Sequence, residues 1–403
     1  MKQAVASFWY QRLRPVYLRA AALILRGLGV SSRHGGVPRG VIWDAGEWIR
    51  VTEKVRPWAE RGSRHWQVKV RESELYIGEL PRTIEKSVHP VFYDQRFFRF
   101  PELSVTCIRR GRVATSQGFV ISPEDYIFDE FTHQWGESIW KSGVFQQPGL
   151  PRMEYRDGVW ATLVAPASSR NTHHWLTDGL LRLAVLEEAG LAKHTNFIIP
   201  DLQPRFLDPM EALGYGAERC AGLRSGHWEV EHLLVPSFLA PPGFMRPWGF
   251  HWLRNRLGIE GKPPGKRRFW IGRNRARGRH LLNEEELLPI LKKAGFEYLE
   301  LEDLSFHEQM KLYSQAGVIA APHGAGVTNI LFAPRRIRVL ELFPERYVVP
   351  VFCMLAHVLD QEYFYLIGTT TPDDISKDFN NMDNYRVAPE RLIETLRMMS
   401  LLK

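Results

Sequence analysis

Four arginines, Arg273, Arg275, Arg277 and Arg279, alternate with Asn274, Ala276 and Gly278 inside the stretch RRFWIGRNRARGRHLLNEEELL. They follow an apolar strand-like run and precede a helix start. Guanidinium groups hold phosphate oxygens in a bidentate fork, and unpaired N–H groups at a helix start add to the attraction. The chemistry that fits is the holding of a diphosphate. A solvated loop and a nucleic-acid patch remain as alternatives, although the run is short and matches no nucleic-acid-binding motif. Glu284, Glu285 and Glu286 occupy the first turn of the next helix, where carboxylates offset the helix dipole, and so read as structural. A second stretch, APHGAGVTNILFAP, places Gly324, Ala325 and Gly326 at another helix start. Its glycines let a ligand approach the backbone, and His323 before them can donate to a phosphate oxygen or a sugar hydroxyl. In a third, NTHHWLTDG, Asn171 stands near a helix cap, with His174 and Asp178 one turn apart on one face.

These stretches need strands and helices to hold them. At 403 residues and 44% hydrophobic composition the chain is long enough for two domains and too apolar to be disordered. Between about Val91 and Thr132, aromatic and β-branched runs with turn signals predict a small, mostly antiparallel region. Thereafter VWATLVAP, TNFIIP, RRFWIG, EYLEL, VIAAPHG, RVLELFP and YFYLIG alternate with helical stretches, which predicts α/β architecture with parallel sheets. Asn283 is expected to cap the helix through EEELLPILKKAGF, and Ser305 with Glu308 to form a capping box. Pro/Gly-rich stretches around residues 237–250 and 258–266 mark the domain boundary. Ligands of open α/β sheets bind beyond the carboxyl ends of the strands, which selects the same three loops.

The formal charge of +8 and pI near 9.4 call for an acidic partner: nucleic acid, an anionic membrane surface or a phosphorylated small molecule. Cys107, Cys220 and Cys353 are widely spaced, so neither a disulfide framework nor a zinc site is expected, and a reducing compartment fits best. The N-terminal stretch is basic and amphipathic. Its longest apolar run, Ala20 to Leu25, is far short of the roughly 20 residues of a membrane span, and no signal peptide stands out. A helix on an anionic bilayer and a helix packed on the protein are both open.

Taken together, GRNRARGRHLLNEEEL, SFHEQMKLYSQAGVIAA and PHGAGVTNILFAPRRIRVLELFP resemble, in order, the core of glycosyltransferase family 61. Upstream, Asn171, His174 and Asp178 stand as N-x-x-H-x-x-x-D, similar to that family's N-terminal-domain motif. The family includes bacterial polysaccharide-biosynthesis proteins and eukaryotic xylosyl- and N-acetylglucosaminyltransferases. The resemblance implies a GT-B architecture, with two Rossmann-like domains facing a cleft, here preceded by a β-rich N-terminal region. Four segments are then expected: a basic region over 1–90, an acceptor-side domain over 91–258, a nucleotide-sugar-binding domain over 262–368 and a tail with a helix over 369–403. It also implies transfer with inversion from a nucleotide-sugar, by analogy a UDP-sugar, to a glycan or lipid-linked acceptor.

Within that frame Asp178 is the first candidate for the base that takes the acceptor proton and His174 the second. Asn171 and Trp175 would touch substrate, although Trp175 also suits a core position. Arg273 and Arg279 would stabilise the departing diphosphate, with Asn283, His323, Gly324, Ala325, Gly326 and Asn329 around it, and Glu341 would accept from the ribose hydroxyls. No D-x-D carboxylate pair is present in the sequence, so no metal and no further cofactor are expected. A noncatalytic nucleotide-sugar-binding scaffold is the first alternative and an RNA-binding protein the second. No nucleic-acid partner is expected, and the enzyme would be cytoplasmic and bacterial, with peripheral contact at the inner membrane.

Overall fold

The computed structural model describes residues 20, 24, 27, 28, 30–55, 64–132, 138–147, 149–376 and 382–403. The surface helix expected over residues 1–30 lies almost wholly outside them. No helix among the described residues is long and apolar enough to cross a membrane. The chain forms two compact units, Met1–Glu72 with Glu102–Pro242 and Ser73–Pro101 with Gly243–Lys403. Residues 73–101, set by sequence in the two N-terminal segments, thus associate with the C-terminal one. The chain passes between units at Pro242, inside the Pro/Gly-rich stretch.

In chain order, β1 (Gly40–Ile42) and β2 (Trp66–Arg71) come first, and β3 (Glu74–Ile77) and β4 (Phe97–Phe100) pair antiparallel within the second unit. Strands β5 (Leu103–Ala114), β6 (Phe119–Ile121), β7 (Tyr126–Phe128), β8 (Glu154–Thr162), β9 (Asn196–Ile199), β10 (Cys220–Gly222) and β11 (His227–Pro236) belong to the first. Among the described residues its sheet has nine strands, ordered β1-β7-β6-β5-β11-β8-β9-β10 with β2 also on β5. The antiparallel region and the parallel α/β region expected separately are therefore one mixed sheet. They join at β11, antiparallel to β5 and parallel to β8. The sequence hides that strand because its buried positions include Glu229, 1% exposed and held by Arg33 and Arg110. Apolar packing is supplied by Ile108, Val113, Phe128, Ile198, Val230 and Leu233. One further departure is VFYD at 91–94, a short helix where strand was expected.

The second unit contains the parallel strands β12 (Arg267–Ile271), β13 (Phe296–Leu299), β14 (Ala316–Pro322), β15 (Arg338–Phe343) and β16 (Glu362–Ile367), ordered β13-β12-β14-β15-β16. Counted along the chain this is a 2-1-3-4-5 order, whose reversal falls between β12 and β14. In such sheets the two loops leaving the strands at the reversal diverge and open a crevice for a ligand. The expected helices follow at Glu284–Lys293, Phe306–Tyr313 and Val351–Val358, the second opened by the Ser305–Glu308 capping box. The C-terminal helix Pro389–Met398 buries Leu392 and Leu396 in the same core as Trp270, Leu287 and Leu340. The tail is thus part of this unit's packing.

Candidate functional site

In the second unit the two loops at the strand-order reversal carry the arginines and the glycines, and the structure brings them together. Arg273 leaves the end of β12 and lays its guanidinium against the backbone of Gly324, just past the end of β14. A Cβ on Gly324 would overlap Nη1 and lie 3.0 Å from Cζ, so any larger residue would push the guanidinium out of this position. Gly324 itself is extended, with φ 174°, so its role is space and not backbone freedom. Gly326 is similarly close to the Leu301 side chain, at 3.1 Å for a Cβ. The 3-10 helix Ala325–Phe332 begins here, and the N–H groups of a helix start favour an anion.

Arg273 is anchored by Nε donating to the Gly278 carbonyl at 3.2 Å, and among the described residues it makes no ion pair. Burial, and then Arg279, pull its pKa down to about 10, which still leaves it charged at neutral pH. Arg279, held low chiefly by burial, stacks over the Tyr347 ring at 5.3 Å, and Tyr347 in turn packs 5.5 Å from His323. Its φ of 57° is unusual for a side-chain-bearing residue and costs about 1 kcal/mol or more. The neighbouring arginines differ: Arg275 is paired with Glu300 at 3.0 Å and Asp303 at 2.7 Å, and Arg277 is exposed. Two half-buried cations beside a glycine turn, with like-charge repulsion between them, form a positive cluster that an anion would relieve.

His323 is 5% exposed and stacked on Phe343 at 5.2 Å, with Nδ1 bonded to Glu341. Burial, followed by Arg279 and Arg273, holds its pKa well below the usual value, so the ring is neutral. The expected contact of Glu341 with ribose hydroxyls is corrected. Its side chain is 0% exposed, one oxygen taken by His323 and the other by the Tyr363 hydroxyl. It stands behind the histidine. Tyr363, absent from the sequence-derived site, comes from β16, and only its place in the continuous apolar run YFYLI hinted at burial.

Asn283 does not cap its helix through its side chain. Instead Nδ2 donates to the Val387 carbonyl at 2.9 Å and Oδ1 accepts from the Val387 N–H at 3.1 Å, as a strand neighbour would. It fixes the C-terminal segment and not a ligand. Alanine at Asn283 is expected to lower unfolding free energy by about 1–3 kcal/mol, because two buried backbone groups lose their partners; urea denaturation measures it. Glu284 accepts from Trp270 Nε1 at 2.7 Å and Asn274 Nδ2 at 2.9 Å, bracing the arginine loop. Asn329 donates to Gln309 at 2.6 Å, and Tyr313 to the Gly326 carbonyl at 3.0 Å, which fixes the glycine turn from behind. Ala325 is half-buried at the mouth of that turn.

In the first unit Asn171 caps the third loop's helix, its side chain accepting from the His173 N–H at 2.9 Å. Trp175 is 0% exposed, edge-on to Phe206 at 5.7 Å, so its expected contact with substrate is corrected to a core role. Sequence predicts one continuous helix here. The chain instead makes α-helix at Thr172–His174, a π-turn at Trp175–Gly179 and α-helix again at Arg182–Glu188. Gly179 permits it, since a Cβ there would stand 2.8 Å from the Leu163 carbonyl and from the Trp175 ring. Such single-turn bulges occur disproportionately at functional sites. His174 Nδ1 meets Asp178 Oδ2 at 2.7 Å, and the Thr177 hydroxyl donates to Oδ1 at 2.9 Å. The pair is 19% and 13% exposed, within reach of a ligand. Behind it Arg182, 1% exposed and pulled down to about 9 by burial, ties the carbonyls of Val164 at 3.0 Å and Pro236 at 2.9 Å.

Residues 172–340 match a family model described as Glycosyltransferase 61. The match takes in His174, Asp178, Arg273, Arg279 and the glycine turn. A 100-residue stretch is 35% identical to protein O-linked-mannose beta-1,4-N-acetylglucosaminyltransferase 2 of Bos taurus, covering 23% of this chain and 17% of that protein. EGF domain-specific O-linked N-acetylglucosamine transferase of Drosophila melanogaster is 33% identical over 93 residues, 22% of this chain and 18% of its own length. The Gallus gallus protein of that name is 34% identical over 111 residues, 25% and 20% of the two chains. The chain therefore spans about a fifth of the length of these curated relatives.

Proposed function

We propose, from the match of residues 172–340 to the glycosyltransferase 61 family model, that the chain transfers a sugar from a nucleotide-sugar to a glycan or lipid-linked acceptor, inverting the anomeric carbon. The observation that carries the reading is the Arg273 guanidinium seated on Gly324, with Arg279 and His323 beside it. Taking guanidinium groups out of water costs stability, Arg273 makes no ion pair among the described residues, and a diphosphate is the anion whose charge and span suit two guanidiniums and a helix start. In the GT-B scheme implied by the resemblance, the second unit binds the donor and the first supplies the base.

The chemistry is a single displacement. The acceptor oxygen bonds to the anomeric carbon while the bond from that carbon to the diphosphate breaks. The electron pair leaves with the diphosphate, where Arg273 and Arg279 neutralise it in place of a divalent ion. The acceptor proton goes to the His174–Asp178 pair. Asp178 holds His174 Nδ1, so the ring's other nitrogen is the one able to take the proton, and Asp178 orients it and stabilises the imidazolium. This puts His174 ahead of Asp178 as the base, reversing the order expected from sequence.

Two acceptor classes follow. The sequence resemblance includes bacterial polysaccharide-biosynthesis members and favours a cell-surface glycan made at the inner membrane. The relatives' names favour a protein-linked O-glycan, and put UDP-N-acetylglucosamine first among donors to try. Thermal stabilisation by UDP, GDP, CDP and their sugars, with EDTA present, is the deciding measurement. Stabilisation by UDP and one UDP-sugar is expected and would support metal-free donor binding; no shift with any nucleotide would sink the reading.

A further inference from the structure

Glu341 presents a problem that its surroundings solve. Its carboxyl is fully buried, and among the described residues no lysine or arginine pairs with it. Its two contacts are the Tyr363 hydroxyl on Oε2 and His323 Nδ1 on Oε1. An ionised carboxylate held only by neutral groups bears a heavy desolvation penalty, and the neutral acid avoids it. Burial accordingly pushes its pKa up to about 8, while His323 is held well below its usual value.

We propose that Tyr363 and Glu341 are positioning residues that keep the Glu341–His323 pair in its two-proton form, so that His323 Nε2–H is presented as a hydrogen-bond donor to the donor diphosphate. The inference rests on the donor-site reading above. With Glu341 as the acid, its O–H donates to Nδ1, its other oxygen accepts from Tyr363, and the ring hydrogen sits on Nε2. If the proton crosses to Nδ1, the ring becomes an imidazolium and Nε2 still carries hydrogen. Loss of the proton from the pair leaves hydrogen on Nδ1 only. Nε2 then becomes an acceptor, and the pair turns a net negative charge toward an anion. No hydrogen bond engages Nε2 among the described residues, and 6% of the His323 side chain remains exposed.

Other groups act on the pair. Arg273 and Arg279 come from the loop after β12, Tyr385 from the C-terminal segment, and Cys353 from the helix Val351–Val358. Tyr385 and Cys353 are pushed up by burial and stay neutral as Glu341 titrates. Arg273, at about 10, remains mostly charged there.

The test reads the ring directly. In protein labelled with 15N-histidine, two-bond proton–nitrogen spectra report which His323 nitrogen carries hydrogen. The Nε2–H form is expected below about pH 8, giving way to the Nδ1–H form above it. In Glu341→Gln the amide donates to Nδ1 at every pH, so the Nε2–H form should persist throughout. Affinity for UDP should fall in the wild type by about tenfold per pH unit above that titration, the slope of one linked proton, and the slope should vanish in the variant. An Nδ1–H ring in the wild type at pH 7, or a slope that survives in Glu341→Gln, overturns the proposal. If UDP fails to bind the wild type at any pH, the donor-site reading falls, while the wild-type spectra still decide where the proton sits.

Discussion

Alanine at Arg273 is expected to weaken nucleotide binding by about 100- to 1000-fold, from the loss of roughly 3 kcal/mol of charge-assisted contact. The free protein should not be destabilised in parallel. Arg273 is half-buried beside Arg279 and makes no ion pair among the described residues, so its removal relieves repulsion between like charges. The variant should therefore melt at or above the wild-type temperature without ligand and lose the upward shift with UDP. Lysine should recover only part of the affinity, because a single ammonium cannot make the two parallel bonds of a guanidinium. Wild-type affinity in the alanine variant would remove Arg273 from the site. A lowered melting temperature in the ligand-free variant would instead give it a structural task.

Asn at Asp178 is expected to lower kcat by about 10²- to 10⁴-fold while leaving nucleotide affinity unchanged, since the change lies in the first unit. The amide nearly preserves shape but cannot hold His174 as a carboxylate does, so the ring loses both its orientation and the charge that stabilises its protonated form. His174→Gln should fall in the same range, and the double variant should be little worse than either, as for groups acting as one unit. Nucleotide release, measured with the donor the thermal panel selects, reports all three. Additive losses in the double variant would mean that the two side chains act separately.

The parts of the molecule legible in the sequence are those governed by local pattern. The strand and helix alternation of the second unit, the Ser305 capping box and the convergence of the arginine loop on the glycine turn follow from short-range periodicity and a general rule about strand ends. Long-range partners were not legible. Glu341 is conspicuous as an acid at a strand end, yet its burial depends on Tyr363, brought beside it by the pairing of β15 with β16. Asn283 sits where a cap belongs, but the Val387 backbone, a hundred residues on, claims its amide. β11 is concealed by a glutamate that only two distant arginines make tolerable. Trp175 looks like a sugar platform until the π-turn rotates it inward against Phe206.

That π-turn also bears on how such a protein can change over generations. Each residue added to or removed from a helix turns everything before it by about 100° relative to everything after it. At Trp175–Gly179 the extra residue is absorbed in one turn, while the buried stripe of Arg182, Leu183, Val185 and Leu186 keeps its phase against the sheet. The His174 side of the helix can therefore be re-aimed by an insertion or deletion at this one point, with the scaffold beneath untouched. If this loop serves the acceptor as proposed, single-codon length changes here would let acceptor preference drift without a rebuilt core.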